Sequence, residues 1–226
     1  MKKDPEILAL VTIGMTTLAT TVNAQKQVEG TISADFVNKY IWRGQDLGDV
    51  SIQPTLGIAY KDISLSAFGN TGLSNKDDVK ELDITGAYTF KGFNIGITNY
   101  WFNNPNDRYF CYSAHKTSHL FEANMGYNFN FISFQWYINI AGNDGLNKNG
   151  HRAYSSYAEI STPFNCATCN WKASVGVVPY QTTFYSDANG FAVTNISLKA
   201  TKSLCITHSF SLPVFAQITA NPSTEK

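Results

Sequence analysis

Apolar and polar residues alternate one by one along most of the chain after residue 25. The pattern is clearest in segment 132–141, where every second residue from Ile132 to Ile140 is isoleucine, phenylalanine or tryptophan. Successive side chains of a β-strand point to opposite faces, so a period of two predicts a strand with one apolar and one mostly polar face.

The same alternation predicts eleven strands in the chain. Most of them are about 8–11 residues long, the length that crosses the core of a bilayer at a tilt. They cover residues 32–42, 52–60, 63–70, 82–90, 93–101, 120–129, 132–141, 154–162, 171–179, 191–206 and 210–220.

The connections between these strands alternate between long and short. The long ones are rich in Asn, Asp, Gly and Lys and cover residues 43–51, 71–81, 102–119, 142–153 and 180–190. Between them lie four tight turns and one longer segment, 163–170. Outer-membrane barrels sort their loops in this way, with short periplasmic turns and long outer loops. The chain is therefore predicted to be all-β, an antiparallel up-and-down transmembrane β-barrel, with a soluble β-sandwich or lipocalin-like barrel as the alternative.

The parity of the strands points to a strand that is not in the sequence. Bacterial single-chain barrels have an even number of strands, and an unpaired strand edge is costly in lipid. We expect about twelve strands, of which eleven are present, and a truncated C-terminus after the polar residues 221–226.

The first 24 residues have the order of regions found in a secretory signal peptide. Lys2 and Lys3 are followed by a mostly apolar segment, 7–19, and by small residues around Ala24. We expect cleavage after Ala24 and export of residues 25–226 as the barrel domain, in a compartment where disulfides persist. A short buried helix is the alternative for this segment.

Composition excludes two classes of protein. The formal net charge is zero, so the chain lacks the electrostatic footprint of nucleic-acid binding. The mean hydropathy is −0.18 and the sequence has no run of 18 apolar residues, which excludes a bundle of membrane helices. Charged residues are only 15% of the chain and aromatic residues 14%. Many of the aromatic residues lie near predicted strand ends, as in the girdles of membrane barrels.

Four separated blocks carry a resemblance to a known family. FVNKYIWRG at 36–44, SHLFEA at 118–123, SSYAEI at 155–160 and FSLPVF at 210–215 resemble the TorF-like porins, which are small bacterial outer-membrane barrels. The resemblance implies a Gram-negative outer membrane, contact with its lipid, a porin role and insertion by the barrel-assembly machinery. Members of that family end in an aromatic strand that this chain lacks.

Charged residues of the predicted strands fall on the polar faces, which would line the lumen. A lysine or arginine on the lipid face would cost about 2–4 kcal/mol at mid-depth, so this placement supports the barrel. Asp35, Lys39 and Arg43 follow one another at four-residue steps on the first predicted strand. The full predicted set of lumen-lining charges is Asp35, Lys39, Arg43, Asp83, Glu122, Glu159, Lys172 and Lys199.

A polar lumen predicts passive diffusion of small solutes, without a cofactor or a bound metal. The balance of acids and bases also fits an ion-paired, partly closed interior, and these residues would then only brace the barrel. An outer-membrane lipid hydrolase is a second hypothesis, because His119, Glu122, Ser113 and Ser118 supply the residue types of a Ser-His-acid site. A structural or adhesive barrel is the third.

The cysteines and histidines give two further hypotheses. Cys166 and Cys169 are expected to form a local disulfide, with Cys205 near the same rim as a competing partner. Cys111, His115 and His119 are spaced four apart, and they would share one face and bind a transition metal if their loop were helical. Unrelated polar loop residues are the simpler interpretation.

Overall fold

The chain forms an all-β structure. A computed structural model describes residues 10–24, 28–75, 77–102, 108–113, 116–208 and 210–224. Within these ranges there is no helix of the length and apolarity that a membrane crossing demands. The strands are β1 (Leu10–Ala24), β2 (Val28–Val37), β3 (Tyr40–Trp42), β4 (Gln45–Gly48), β5 (Ser51–Tyr60), β6 (Ile63–Gly72), β7 (Glu81–Phe90), β8 (Phe93–Phe102), β9 (His119–Asn128), β10 (Ser133–Gly142), β11 (Ser156–Cys166), β12 (Cys169–Val178), β13 (Ala192–Thr207) and β14 (Phe210–Ala220).

The wall of the molecule is an antiparallel up-and-down sheet. Its strands β2 and β5–β14 each pair with the next wall strand in sequence, and β1 pairs with both β2 and β14 to close a barrel. The pairing of β2 with β5 continues to the last residue of β2 and the first residue of β5, where Val37 is opposite Ser51. The intervening β3 and β4 form a separate two-stranded hairpin.

The eleven predicted strands are confirmed, with one change in the first of them. The predicted strand 32–42 is divided, because the chain leaves the wall after Val37 and continues as β3. Arg43 and Gly44 then form a two-residue turn with φ angles of 52° and 83°. Positive φ at both central residues is the geometry of a tight β-hairpin, so residues 40–48 fold back on themselves.

The connection between β11 and β12 also differs from the prediction. Segment 163–170 is not a loop, since β11 runs to Cys166 and β12 starts at Cys169. Ala167 and Thr168 make the turn with φ angles of 48° and 67°. All five connections between β5 and β14 at this end of the barrel are therefore short, and the sorting of loop lengths between the two ends is stricter than the sequence indicates.

The two faces of the wall have opposite chemistry. Along β5, Ser51 and Gln53 are buried in the interior, whereas Leu56 and Ile58 are 56% and 53% exposed on the outside. The other wall strands with described side chains follow the same rule, which is the reverse of a water-soluble fold. Among the described residues, a small apolar cluster of Tyr157, Val178 and Tyr185 lies inside the barrel.

The closing strand β1 lies within the segment predicted to be a signal peptide. It occupies the position between β2 and β14, where the strand count left one place to fill. Cleavage after Ala24 and the missing C-terminal strand stay predictions.

Candidate functional site

The β3–β4 hairpin lies inside the barrel rather than outside its mouth. The Tyr40 hydroxyl donates to Glu81 on β7, and the Asn221 side chain donates to the Gly44 carbonyl at 3.1 Å. A β-carbon on Gly44 would overlap the carbonyl oxygen of Thr194 on β13. The hairpin thus reaches across the lumen from β7 to β13.

The tip of this hairpin places Arg43 against Glu122 on β9. The Arg43 Nη1 lies 2.5 Å from Glu122 Oε2, and Nη2 lies 3.1 Å from Oε1. The two side chains are only 9% and 1% exposed. This is a buried, bidentate ion pair, the geometry in which a guanidinium matches a carboxylate best.

Glu122 accepts two more hydrogen bonds from tyrosines of the barrel interior. The Tyr100 hydroxyl donates at 3.0 Å, and the Tyr185 hydroxyl donates to the other carboxylate oxygen while lying 3.2 Å from Asn139 Oδ1. Asn139 in turn donates to Asp144 at 2.7 Å. The buried carboxylate is therefore fully solvated by protein donors, which a buried charge requires.

Four aromatic rings surround the Arg43 guanidinium. Its Cζ lies 3.8 Å from the ring centroid of Tyr137, 4.4 Å from Trp42, 5.0 Å from Tyr157 and 5.2 Å from Tyr185. All four distances are within the range of cation–π attraction. We call these four rings together with Glu122 the arginine cage.

The cage keeps its charged and neutral groups in defined states. Burial opposes the charge of Arg43, but the Glu122 carboxylate outweighs it and holds the arginine pKa well above its ordinary value. Burial raises the pKa of Tyr185 far above that of free tyrosine, so its hydroxyl stays a donor to Glu122.

A second ion-pair group closes the base of the hairpin. Lys39 Nζ lies 2.8 Å from Asp46 and 2.7 Å from Asp49. Hydrogen bonds to Asp46 and then to Asp49 raise the lysine pKa above its ordinary value. These side chains are partly exposed, so the group is expected to stabilise the hairpin only modestly.

The structure brings three of the predicted lumen charges, Lys39, Arg43 and Glu122, into the hairpin region. The four-residue spacing of Asp35, Lys39 and Arg43 does not continue along one strand, because Asp35 is on β2, Lys39 precedes β3 and Arg43 is in the turn.

The remaining predicted charges lie on inward positions of the wall. Asp83 is buried on β7 beside Glu81, and one of its carboxylate oxygens has no hydrogen-bond partner among the described residues. Glu159 accepts from Tyr157 at 2.9 Å and faces Lys172 at 3.5 Å. Lys199 Nζ lies 3.9 Å from the ring centroid of Phe215.

Sequence reasoning missed the aromatic part of the cage. Tyr137 and Tyr157 are on inward positions of strands that carry mostly polar residues, and this inward placement is the signal that could have found them. Tyr185 belongs to the long connection between β12 and β13, where no period exists to place it.

His119 is buried, and its ring contacts β8 and the connection that precedes β9. Its ring nitrogens contact Asn99 Oδ1 at 2.9 Å and the Tyr109 carbonyl, and Tyr112 stacks on the ring at 4.4 Å. His115 lies outside the described residues. The part of the chain that is described holds no group of three or more His, Cys, Asp or Glu suited to a metal ion.

Cys166 and Cys169 face each other as register partners across the turn between β11 and β12. Both are free thiols in this structure, as are Cys111 and Cys205. The predicted disulfide stays a prediction.

Comparison with known proteins gives no match to a family model and none to a curated protein.

Proposed function

We propose that the chain is an outer-membrane barrel of the porin type, which lets small solutes diffuse passively through its polar lumen. The observation that carries this proposal is the reversal of the two faces of the sheet, with apolar side chains outside and polar ones inside. Large contiguous apolar surfaces are rare on soluble monomers, whereas lipid favours them on the outside of a membrane barrel.

The sorting of the connections supports the same location. From β5 to β14, short turns at one end and long connections at the other are typical of a barrel whose turns face the periplasm. The resemblance to TorF-like porins points the same way. Outer-membrane lipid and the barrel-assembly machinery are then the expected partners, and neither nucleic acid nor a cofactor is required.

Export requires residues 1–24 to act as a signal peptide. Cleavage after Ala24 would remove all of β1 and leave the seam between β2 and β14 to another strand. The intact mass of protein recovered from outer membranes tests this, because a mass that includes residues 10–24 would contradict cleavage.

The β3–β4 hairpin sets the width of the proposed pore. Barrels of eight strands are filled by side chains and those of sixteen leave a channel, so in a twelve-stranded barrel an inserted hairpin decides whether solutes pass. The contacts of Tyr40, Arg43 and Gly44 with three different wall regions hold the hairpin across the lumen. We expect small conductance with the hairpin in place and larger conductance once it is displaced.

Single-channel recording in a planar bilayer tests the proposal. The purified chain should give discrete small steps, and a Gly44→Val variant should give larger ones because the side chain cannot fit beside Thr194. Lys61→Ala, in a short turn at the opposite end, is the matched control and should behave like the unaltered chain.

The outcomes of this recording separate the three hypotheses. If none of the three folded proteins gives channel conductance, the porin proposal is overturned and a structural barrel is favoured. Absence of conductance together with lipid hydrolysis would favour the hydrolase. The described contacts do not favour hydrolysis, because Glu122 is bound to Arg43 and the His119 ring contacts Asn99 and a backbone carbonyl.

A further inference from the structure

We propose that the arginine cage is a binding site for guanidinium cations, with Arg43 of the chain itself as a displaceable resident ligand. The ligand class is a solute that carries a planar guanidinium group. This inference concerns binding in the barrel interior and holds whether or not the lumen conducts.

Most of the cage does not depend on the hairpin that fills it. Glu122 is on β9, Tyr137 on β10 and Tyr157 on β11, all of them wall strands. Tyr100 on β8 and Tyr185 hold the Glu122 carboxylate through their own hydroxyls. Among the cage residues only Trp42 belongs to the hairpin, so the receptor is preorganised without Arg43.

The geometry of the cage favours a planar guanidinium over a tetrahedral ammonium group. Glu122 takes two parallel N–H donors, one on each oxygen, which a guanidinium supplies and an ammonium cannot. The nearest ring, Tyr137, lies 3.8 Å from the guanidinium carbon. That distance allows close contact with the face of a planar group and gives it cation–π attraction.

The empty cage would attract a cation strongly. Glu122 is 1% exposed, and a buried carboxylate without its partner is an uncompensated charge. Removal of Arg43 therefore leaves a site that a free guanidinium can fill with the same contacts.

A cavity beside the tip of the hairpin borders one wall of the cage. It has a volume of about 370 Å³ and is lined by Gly44, Tyr185, Asp46 and Asp187 together with neighbouring polar side chains. Gly44 is next to the resident arginine and Tyr185 is a wall of the cage. Asp46 is paired with Lys39, so Asp187 is the acid of this cavity that favours the approach of cations. In the intact chain the tethered Arg43 has a high effective concentration, so a free solute must compete with it.

The test is chemical rescue of an Arg43→Ala variant in detergent. Its thermal unfolding is followed by the heat-dependent mobility shift of the folded barrel on gels, with methylguanidinium or methylammonium at equal, non-denaturing concentration. We expect methylguanidinium at about 100 times its dissociation constant to raise the midpoint by roughly 5–10 °C. Methylammonium should raise it much less.

A double variant, Arg43→Ala with Glu122→Gln, is the matched control. It has the same cavity but no carboxylate, and it should show no response to methylguanidinium. Equal responses to the two cations, or an equal response of the double variant, would overturn the proposal.

If Arg43→Ala does not fold alone, the yield of folded barrel on refolding with methylguanidinium becomes the readout. A yield restored by methylguanidinium and not by methylammonium supports the site. No restoration by either cation contradicts it. Absence of channel conductance in a planar bilayer would overturn the porin proposal without affecting any of these results.

Discussion

The guanidinium of Arg43 and the carboxylate of Glu122, 79 residues apart in the chain, form a buried ion pair with two hydrogen bonds inside the barrel. The pair joins the hairpin to the wall, and each partner also has its own aromatic or hydroxyl contacts. It holds the hairpin in the lumen together with the Tyr40–Glu81 and Asn221–Gly44 hydrogen bonds.

Replacing Glu122 by glutamine should destabilise the protein strongly. The change leaves the Arg43 charge buried without its counter-ion, which typically costs about 3–5 kcal/mol. Urea unfolding of the barrel in detergent measures the loss. Asp46→Asn is the control, because it weakens a partly exposed ion pair of the same hairpin and should cost at most about 1 kcal/mol. Equal losses for the two variants would show that the buried pair has no special role.

Replacing Gly44 by alanine should displace the hairpin. The new β-carbon would overlap the carbonyl oxygen of Thr194 and would also sit on a residue with φ of 83°. Hydrogen exchange should increase at the amides of β3 and β4 and not in the wall.

Gly150 separates the two causes of that effect. Its φ is 75°, but a β-carbon there meets nothing within 4 Å. Gly150→Ala therefore has only the backbone strain, about 1–2 kcal/mol, and should leave exchange of the hairpin unchanged. Increased hairpin exchange in both variants would mean that contact with β13 is not what holds the tip.

High pH should release the hairpin. The pKa of Lys39 is raised above 10.5 by its two aspartates, and burial next to Glu81 raises that of Tyr40 well above 10.0. Groups whose pKa is raised by folding stabilise the fold fully below the ordinary value, and that stabilisation is lost as the pH rises through the raised one. The protection factors of residues 40–48, which correct for the base-catalysed intrinsic exchange rate, should therefore fall only in strongly alkaline solution.

Tyrosinate absorbance gives an independent measure of this alkaline transition. Tyr40 should ionise together with release of the hairpin, and a Tyr40→Phe variant should lack one late-ionising tyrosine. Early ionisation of all tyrosines with the hairpin still protected would contradict the assignment.

Cys166 and Cys169 should be protected from alkylation in the exported protein. Register partners of an antiparallel pair have Cα atoms about 4.5–5.5 Å apart, which suits a disulfide. Alkylation before and after reduction measures the pairing, with the exposed Cys205 as the internal comparison. Alkylation of both Cys166 and Cys169 before reduction, with Cys205 protected, would contradict the local pairing.

The wall could be predicted from the sequence because its signal is local. A period of two along 132–141 fixes a strand and its two faces without knowledge of any partner. The end of β11 was missed for an equally local reason. Pro163 resembles a strand terminator, and the turn residues Ala167 and Thr168 are not of the types that usually adopt positive φ.

The hairpin could not be predicted in the same way. Tyr40 and Trp42 continue the alternation of the strand before them, so the period does not change where the chain leaves the wall after Val37. Its position in the lumen depends on Glu122, Tyr137 and Tyr157, which lie far away in the sequence. A pattern within one strand contains no information about such contacts.

Direct pairing of Val37 with Ser51 makes residues 38–50 an excursion from a wall that is already continuous without them. A two-residue turn could join β2 to β5 as it joins their neighbours at the other end. The barrel and its occupant are then separable parts, and replacing the segment with other short sequences would give pores of chosen width on an unchanged scaffold.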